Sequence, residues 1–245
     1  MSFRRDTITK PIFSWARGVL PAMSDTEREA LEAGDVWWDA DLFTGNPDWA
    51  KLLAVAPATL TPEEAAFLGG PVDELCAMLD DWKINWEWRD LPPEVWSFIK
   101  REKFFGMIIP KEYGGLGFSP YAHSEVVRKL STRSVTAAVT VMVPNSLGPG
   151  ELLMRFGTRD QQQLWLPRLA DGREIPCFGL TSPEAGSDAA AMIDSGIICK
   201  GSFDGKEVLG LRLNWHKRYI TLGPVATLLG LAFKAYDPDH LIGKE

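Results

Sequence analysis

Asp171-Gly172-Arg173-Glu174-Ile175-Pro176-Cys177-Phe178-Gly179-Leu180 is the stretch on which the fold turns, because helical patterning stops there and strand patterning begins. Gly172 to Pro176 reads as a turn, and Pro176 to Leu180 as a short strand. Beyond it come further β-type runs: Ile197 to Cys199, Val208 to Leu213, Arg218 to Thr221 and Val225 to Phe233. Before it the signals are helical. Helices first and strands afterwards predict an α+β fold rather than an alternating α/β one, with a boundary near Gly172 to Pro176.

The helical part is marked by its starts. Ser24 with Glu27, Thr61 with Glu64 and Thr158 with Gln161 each fit a capping box, where the first side chain accepts from a backbone N–H and the third residue reaches back. After Pro71, residues Val72, Leu75, Cys76 and Leu79 recur at the helical interval, with Asp73 and Glu74 near the positive end of the helix. Further helices are predicted from Pro93, burying Val95, Phe98 and Ile99, and from Ser119-Pro120, carrying Val126, Val127 and Leu130. Ser134 to Val143 stays open between strand and helix. Its β-branched residues favour the first, and the spacing of Val135, Ala138, Val139 and Met142 allows the second. Most of the ten tryptophans, Trp37, Trp38, Trp82, Trp86 and Trp96 among them, fall in this part and are expected to anchor the core or helix interfaces.

Composition excludes several classes. A chain of 245 residues with 45% hydrophobic and 24% charged residues is ordinary for a globular protein, and its net charge of −7 disfavours generic nucleic-acid binding. Cys76, Cys177 and Cys199 show no CxxC spacing, and His123, His216 and His240 no ligand spacing, so neither a metal site nor a disulfide framework is expected. The cysteine usage suits a reducing compartment and places the chain in the cytoplasm. No apolar run is long enough to span a bilayer. The first 20 residues set Arg4, Arg5, Lys10 and Arg17 against Asp6, interleaved with Phe3, Ile12, Phe13, Trp15 and Val19. This pattern suits either an anionic membrane surface, here the inner face of the cell membrane, or a solvated arm packed on the domain.

Two segments carry chemistry. Thr181-Ser182-Pro183-Glu184-Ala185-Gly186-Ser187-Asp188 follows a strand with a turn of small residues, where backbone N–H groups can approach a flat ligand. Trp215-His216-Lys217-Arg218-Tyr219-Ile220-Thr221 places an aromatic ring two residues before a threonine hydroxyl. A flavin ring, held at its carbonyl oxygens, N3 and N5, can be met by such groups. Glu184 and Asp188 are not read as catalytic. Asp188 is expected to accept backbone N–H bonds within the turn, and Glu184 to face solvent. Gly114-Gly115-Leu116-Gly117 lacks the lysine and the strand-to-helix setting of a phosphate loop and is read as a tight structural turn.

Several stretches together resemble the acyl-CoA dehydrogenase family, in its long bacterial branch serving fatty-acid β-oxidation. They are Pro110 to Gly117, Gly157 to Gln162 leading into Leu166-Pro167-Arg168-Leu169, and the two segments above; Trp37-Trp38 and Gly69-Gly70-Pro71 resemble only the long branch. The resemblance implies a FAD cofactor. It places Phe178, Gly179, Leu180 and Thr181 along the pyrimidine side of the flavin and Gly186 in the turn that follows. Ser187 falls between flavin and acyl-CoA, and Tyr219, Ile220 and Thr221 run past N5. Tyr219 stands where tryptophan is common, Ser182 where glutamate is usual, and Leu222 where asparagine is usual. These departures imply rearranged hydrogen bonding at both turns.

The implied organisation is an extension with a basic arm (1–70), an all-helical domain (71–174) and the start of a β-barrel-like flavin domain (175–245), with the C-terminal helical domain absent. The implied reaction is α,β-dehydrogenation of a fatty acyl-CoA, with an electron-transfer flavoprotein as acceptor. In the family the catalytic carboxylate comes from the C-terminal domain. It is therefore expected beyond Glu245, the 245 residues are expected to be the N-terminal part of a longer enzyme or a truncated product, inactive alone, and no base is assigned. Competing readings are a non-catalytic helical module that binds a membrane or partner, and an oxidase that passes electrons to oxygen.

Overall fold

The structure, a computed structural model, describes residues 3–19, 37–146 and 148–243. The chain divides into two compact units, Met1–Pro57 and Ala58–Glu245. The expected capping box at Ser24 and Glu27 lies outside the described residues.

In the first unit a π-helical stretch, Arg5–Thr9, runs into α1 (Lys10–Val19), and two short helices follow, α2 (Asp39–Leu42) and α3 (Trp49–Leu53). Asp48 caps α3 by accepting from Ala50 N at 3.0 Å and Lys51 N at 3.2 Å. Trp38 is buried, donates its Nε1 hydrogen to Asp48 O at 2.6 Å, and lies 5.0 Å from the Trp49 ring.

The helical part of the second unit comprises α4 (Pro62–Gly69), α5 (Pro71–Met78), α6 (Pro93–Arg101), α7 (Pro120–Ser131), α8 (Val135–Met142), α9 (Pro149–Phe156) and α10 (Arg159–Ala170). Five of them begin with proline, whose fixed φ suits the first turn and whose missing N–H is not needed there. The expected capping boxes at Thr61 and Thr158 both form. The core closes around Phe104, which lies 4.9 Å from Phe67 and 6.2 Å from Phe98, with Val72, Leu75, Val95, Ile99, Val126 and Leu130 packed about it. Val127, expected to join this core, is only half-buried.

Ser134 to Val143 resolves as helix because Ser134 caps it, accepting from Ala137 N. Its buried face is Ala137, Ala138, Thr140 and Val141, which shares only Ala138 with the predicted stripe, and Val135 stays exposed. The tryptophans divide differently from the expectation. Trp38 is buried and Trp96 packs against the core, whereas Trp37, Trp82 and Trp86 are exposed, the rings of the last two tilted against each other at 5.6 Å.

The Gly114–Gly117 loop is a structural turn. The amides of Gly115, Leu116, Gly117 and Phe118 bond to Pro110, Gly106, Ile109 and Met107 carbonyls, so none is presented to a phosphate. Gly114 and Gly117 hold φ of 83° and 62°, and a Cβ at Gly115 would overlap the Ile109 carbonyl.

Glu64 ties α4 to the start of α7. Its carboxylate accepts from Thr61 N at 2.8 Å and Ser119 N at 2.7 Å while only 5% exposed. Burial pushes its pKa up, but these hydrogen bonds outweigh it and hold the value at about 2, against an ordinary 4.5. A depressed folded-state pKa gives stability that is complete above 4.5 and lost as pH falls towards 2. Glu64→Gln is therefore expected to cost about 2 kcal/mol at neutral pH, the scale of a charge-assisted hydrogen bond. Urea unfolding should show the difference from wild type shrinking below pH 4.5, and a pH-independent difference would contradict the assignment.

After α10 the chain becomes β, as the sequence predicts. β1 (Pro176–Gly179) pairs parallel with β4 (Leu228–Leu231), and β2 (Ser195–Phe203) pairs antiparallel with β3 (Lys206–Asn214) and parallel with β5 (Lys234–Tyr236). Asp204-Gly205, both at positive φ, close the β2–β3 hairpin. Two strand expectations are corrected. Arg218 to Thr221 is a loop, because Tyr219 and Leu222 take φ of 56° and 63° and break any extended run; within Val225 to Phe233 only Leu228–Leu231 is strand.

Candidate functional site

The site begins where β1 ends. Phe178 lies opposite Gly230 and Gly179 opposite Leu231 in the parallel pair. A Cβ on Gly230 would come within 3.0 Å of the Phe178 ring and of Pro149, so the glycine lets the strand lie flat against α9. From Leu180 the chain enters the first segment. Ser182 and Ala185 exchange backbone hydrogen bonds at 3.0 and 3.3 Å, and Asp188 accepts from Ala190 N at 3.1 Å. Asp188 thus fixes the turn, while Glu184 faces solvent. Ser182 is buried with its hydroxyl unpartnered, at the position where the resemblance implied altered hydrogen bonding.

The second segment leaves the open end of the hairpin and docks on the first. Arg218 N donates to Thr181 O at 3.0 Å, and the Arg218 guanidinium donates to Pro183 O at 3.3 Å. Beneath this contact lies an ion pair the sequence reading missed. Lys217 Nζ donates to Asp194 Oδ2 at 2.6 Å and to Leu180 O at 2.9 Å, and the two side chains are 1% and 2% exposed. Asp194 also accepts from His216 N at 2.8 Å. Burial pushes the Asp194 carboxyl pKa up, but the Lys217 ammonium and the His216 amide bring it below the ordinary carboxylate value. One pair therefore fixes both segments: its lysine holds the Leu180 carbonyl and its aspartate holds the start of Trp215 to Thr221.

Against the second segment is a cavity of about 300 Å³, lined by Cys177 and Gly179 of β1, Leu228 and Leu229 of β4, and Trp215, Lys217 and Ile220. Gly179 and Ile220 thus meet in one place, with Leu180 and Thr181 held beside it by the bonds just described. Phe178 packs on β4, Tyr219 is 83% exposed and Thr221 is exposed. Gly186 and Ser187 stand exposed on the outer turn and do not line this cavity. Among the described residues, the hydroxyls of Thr181, Ser187 and Thr221 and the Thr181 N–H make no hydrogen bond within the chain. Cys177 and Cys199 form no disulfide, and no group of three or more potential metal ligands occurs among the described residues.

Residues 72–173 match the family described as "Acyl-CoA dehydrogenase, N-terminal domain". The mouse very long-chain specific mitochondrial acyl-CoA dehydrogenase is 31% identical over 144 residues, which is 58% of this chain and 22% of that protein. Acyl-CoA dehydrogenase FadE12 of Mycobacterium tuberculosis is 35% identical over 96 residues, 39% of this chain and 24% of that one. Each of these relatives is thus spanned over less than a quarter of its length. Among solved structures, a glutaryl-CoA dehydrogenase from Mycobacterium smegmatis in complex with FADH2 superposes with a TM-score of 0.59 at 26% identity, covering 82% of this chain and 47% of that chain. The helices that carry the core from Val72 onward and the α+β order agree with this similarity of residues 72–173 to the N-terminal domain of the acyl-CoA dehydrogenase family.

Proposed function

We propose that the chain is the N-terminal part of a FAD-dependent acyl-CoA dehydrogenase that converts a fatty acyl-CoA to the trans-2-enoyl-CoA in β-oxidation and passes electrons to an electron-transfer flavoprotein. The observation that carries the reading is the junction at Thr181, where Arg218 N joins the two segments beside a cavity lined by Gly179, Lys217 and Ile220. The residues fit a flavin on chemical grounds. A flat ring with carbonyl oxygens and a ring N–H needs apolar walls and a few fixed polar groups; Gly179, Ile220 and Leu229 line the cavity, and Thr181 and Thr221 lie within two residues of that lining in the chain.

When bound, the flavin supplies the two-electron acceptor for the hydrogen leaving the substrate β carbon. The chain's own residues do the positioning. Lys217 holds the Leu180 carbonyl, which fixes the orientation of the adjoining Thr181 amide. Thr181 and Thr221 would then offer their hydroxyls to the flavin, and Ser187, exposed on the turn, would offer its own to acyl-CoA. The reading assigns no catalytic base to the described residues.

The test is FAD titration of the 245-residue chain, followed by flavin fluorescence. Uptake is expected, and Thr181→Val and Thr221→Val should each weaken it about tenfold, the worth of one hydrogen bond at ~1.4 kcal/mol. A chain that takes up no FAD, or variants that bind as well as wild type, would remove these residues from a cofactor site.

A further inference from the structure

We propose that the N-terminal helix is a surface anchor for anionic lipid. The π-helical stretch Arg5–Thr9 and α1 form one continuous helix in which every residue but Ala16 is exposed. Along it Ile8, Ile12, Trp15 and Val19 recur at intervals of four, three and four, so they form a single stripe. They are 52%, 58%, 68% and 60% exposed, so the described residues leave the stripe uncovered. Lys10 and Arg17 fall on the opposite side, with Arg4 and Arg5 at the helix start, and Asp6 is the only acidic residue in the described stretch.

An apolar stripe backed by excess positive charge matches a lipid surface better than a protein groove, because headgroups supply negative charge on either side of the apolar layer. Trp15 within the stripe suits the boundary between headgroup and acyl chain. The helix lies on such a surface rather than crossing it. At 1.5 Å per residue its fifteen or so residues reach roughly 22 Å, short of a hydrocarbon core of about 30 Å, and no helix among the described residues is long and apolar enough to span a membrane. The charge makes the choice of lipid: the chain as a whole is acidic, at −7, so attraction to anionic headgroups has to come from this local cluster.

The test is flotation of the 245-residue chain with vesicles of equal phosphatidylglycerol and phosphatidylcholine, and with phosphatidylcholine alone. Binding to the anionic vesicles is expected and should weaken with added salt. Neutralising Arg4, Arg5, Lys10 or Arg17 to glutamine should lower partitioning about fivefold each, from ~1 kcal/mol per basic residue near the surface. Ile12→Glu with Trp15→Glu, both at exposed positions, should abolish it without changing the far-ultraviolet circular dichroism. Equal flotation with neutral vesicles, flotation indifferent to the substitutions, or no flotation at all would each overturn the proposal. So would a dimer in sedimentation that the same double variant dissolves, since a second copy would then cover the stripe.

Discussion

Replacing Lys217 by methionine is expected to cost about 3–5 kcal/mol of stability, because it leaves the Asp194 carboxylate buried without its counter-charge. Asp194 has a side chain only 2% exposed, and Lys217 at 1% is more enclosed still. Water cannot take the place of either partner without opening the site. Removing the lysine also frees the Leu180 carbonyl, and removing the aspartate frees the His216 amide, so each single change damages both segments at once. The measurement is urea unfolding of Lys217→Met, Asp194→Leu and the double variant. The double variant should recover part of the loss, since no lone charge remains, though Leu180 O and His216 N stay unpaired. Single variants within 1 kcal/mol of wild type, or a double variant whose losses simply add, would show that the pair does not hold the site as described. FAD uptake should fall with the single variants in the same order as stability.

The second large effect is placed at Asn145. This side chain is 3% exposed; its amide donates to Phe104 O at 2.6 Å and Val141 O at 2.9 Å, and its oxygen accepts from Ile108 N at 3.2 Å. It joins the end of α8 to the segment carrying Phe104, the centre of the aromatic core. Asn145→Leu keeps the branched outline of the side chain and strands three backbone groups, so a loss of about 3 kcal/mol is expected from unpaired buried polar groups. Thermal unfolding at neutral pH checks this. A variant as stable as wild type would mean that these groups find other partners.

The helical half was legible because its signals are local. A proline at the first turn, a capping box and an apolar interval each act within four residues, and Thr61, Thr158, Pro71 and Pro93 start helices as read. Where the reading slipped, the deciding force came from elsewhere in the chain. Val135 looked like a core position by spacing, but which face of α8 is buried depends on where α7 lies, and that is a tertiary fact. Trp82 and Trp86 read as core or helix-interface anchors by residue type and spacing, and neither says which side of a helix faces the core.

In the β half, Arg218 to Thr221 has strand composition yet is bent by positive φ at Tyr219, in a loop tethered through Arg218. The Asp194–Lys217 pair is different, since its signal was present. Asp204-Gly205 between two apolar runs is a hairpin turn, and counting pairs back from it brings Ser195 opposite Asn214. Asp194 and Lys217 lie just past that open end, so their meeting follows from register. The approach of Arg218 to Thr181, by contrast, had no local signal and was available only through family resemblance.

That hairpin also determines which changes in chain length the site can absorb. Its turn lies at one end of nine paired positions, and the two site segments emerge from the other. Register is counted back from the turn, so residues added or removed in matched pairs, one from each strand, leave Ser195 facing Asn214 and Asp194 beside Lys217. A single unmatched residue shifts one strand past the other and reverses the faces of its side chains. The loop end can thus lengthen or shorten in steps of two residues while the ion pair at the base stays in place.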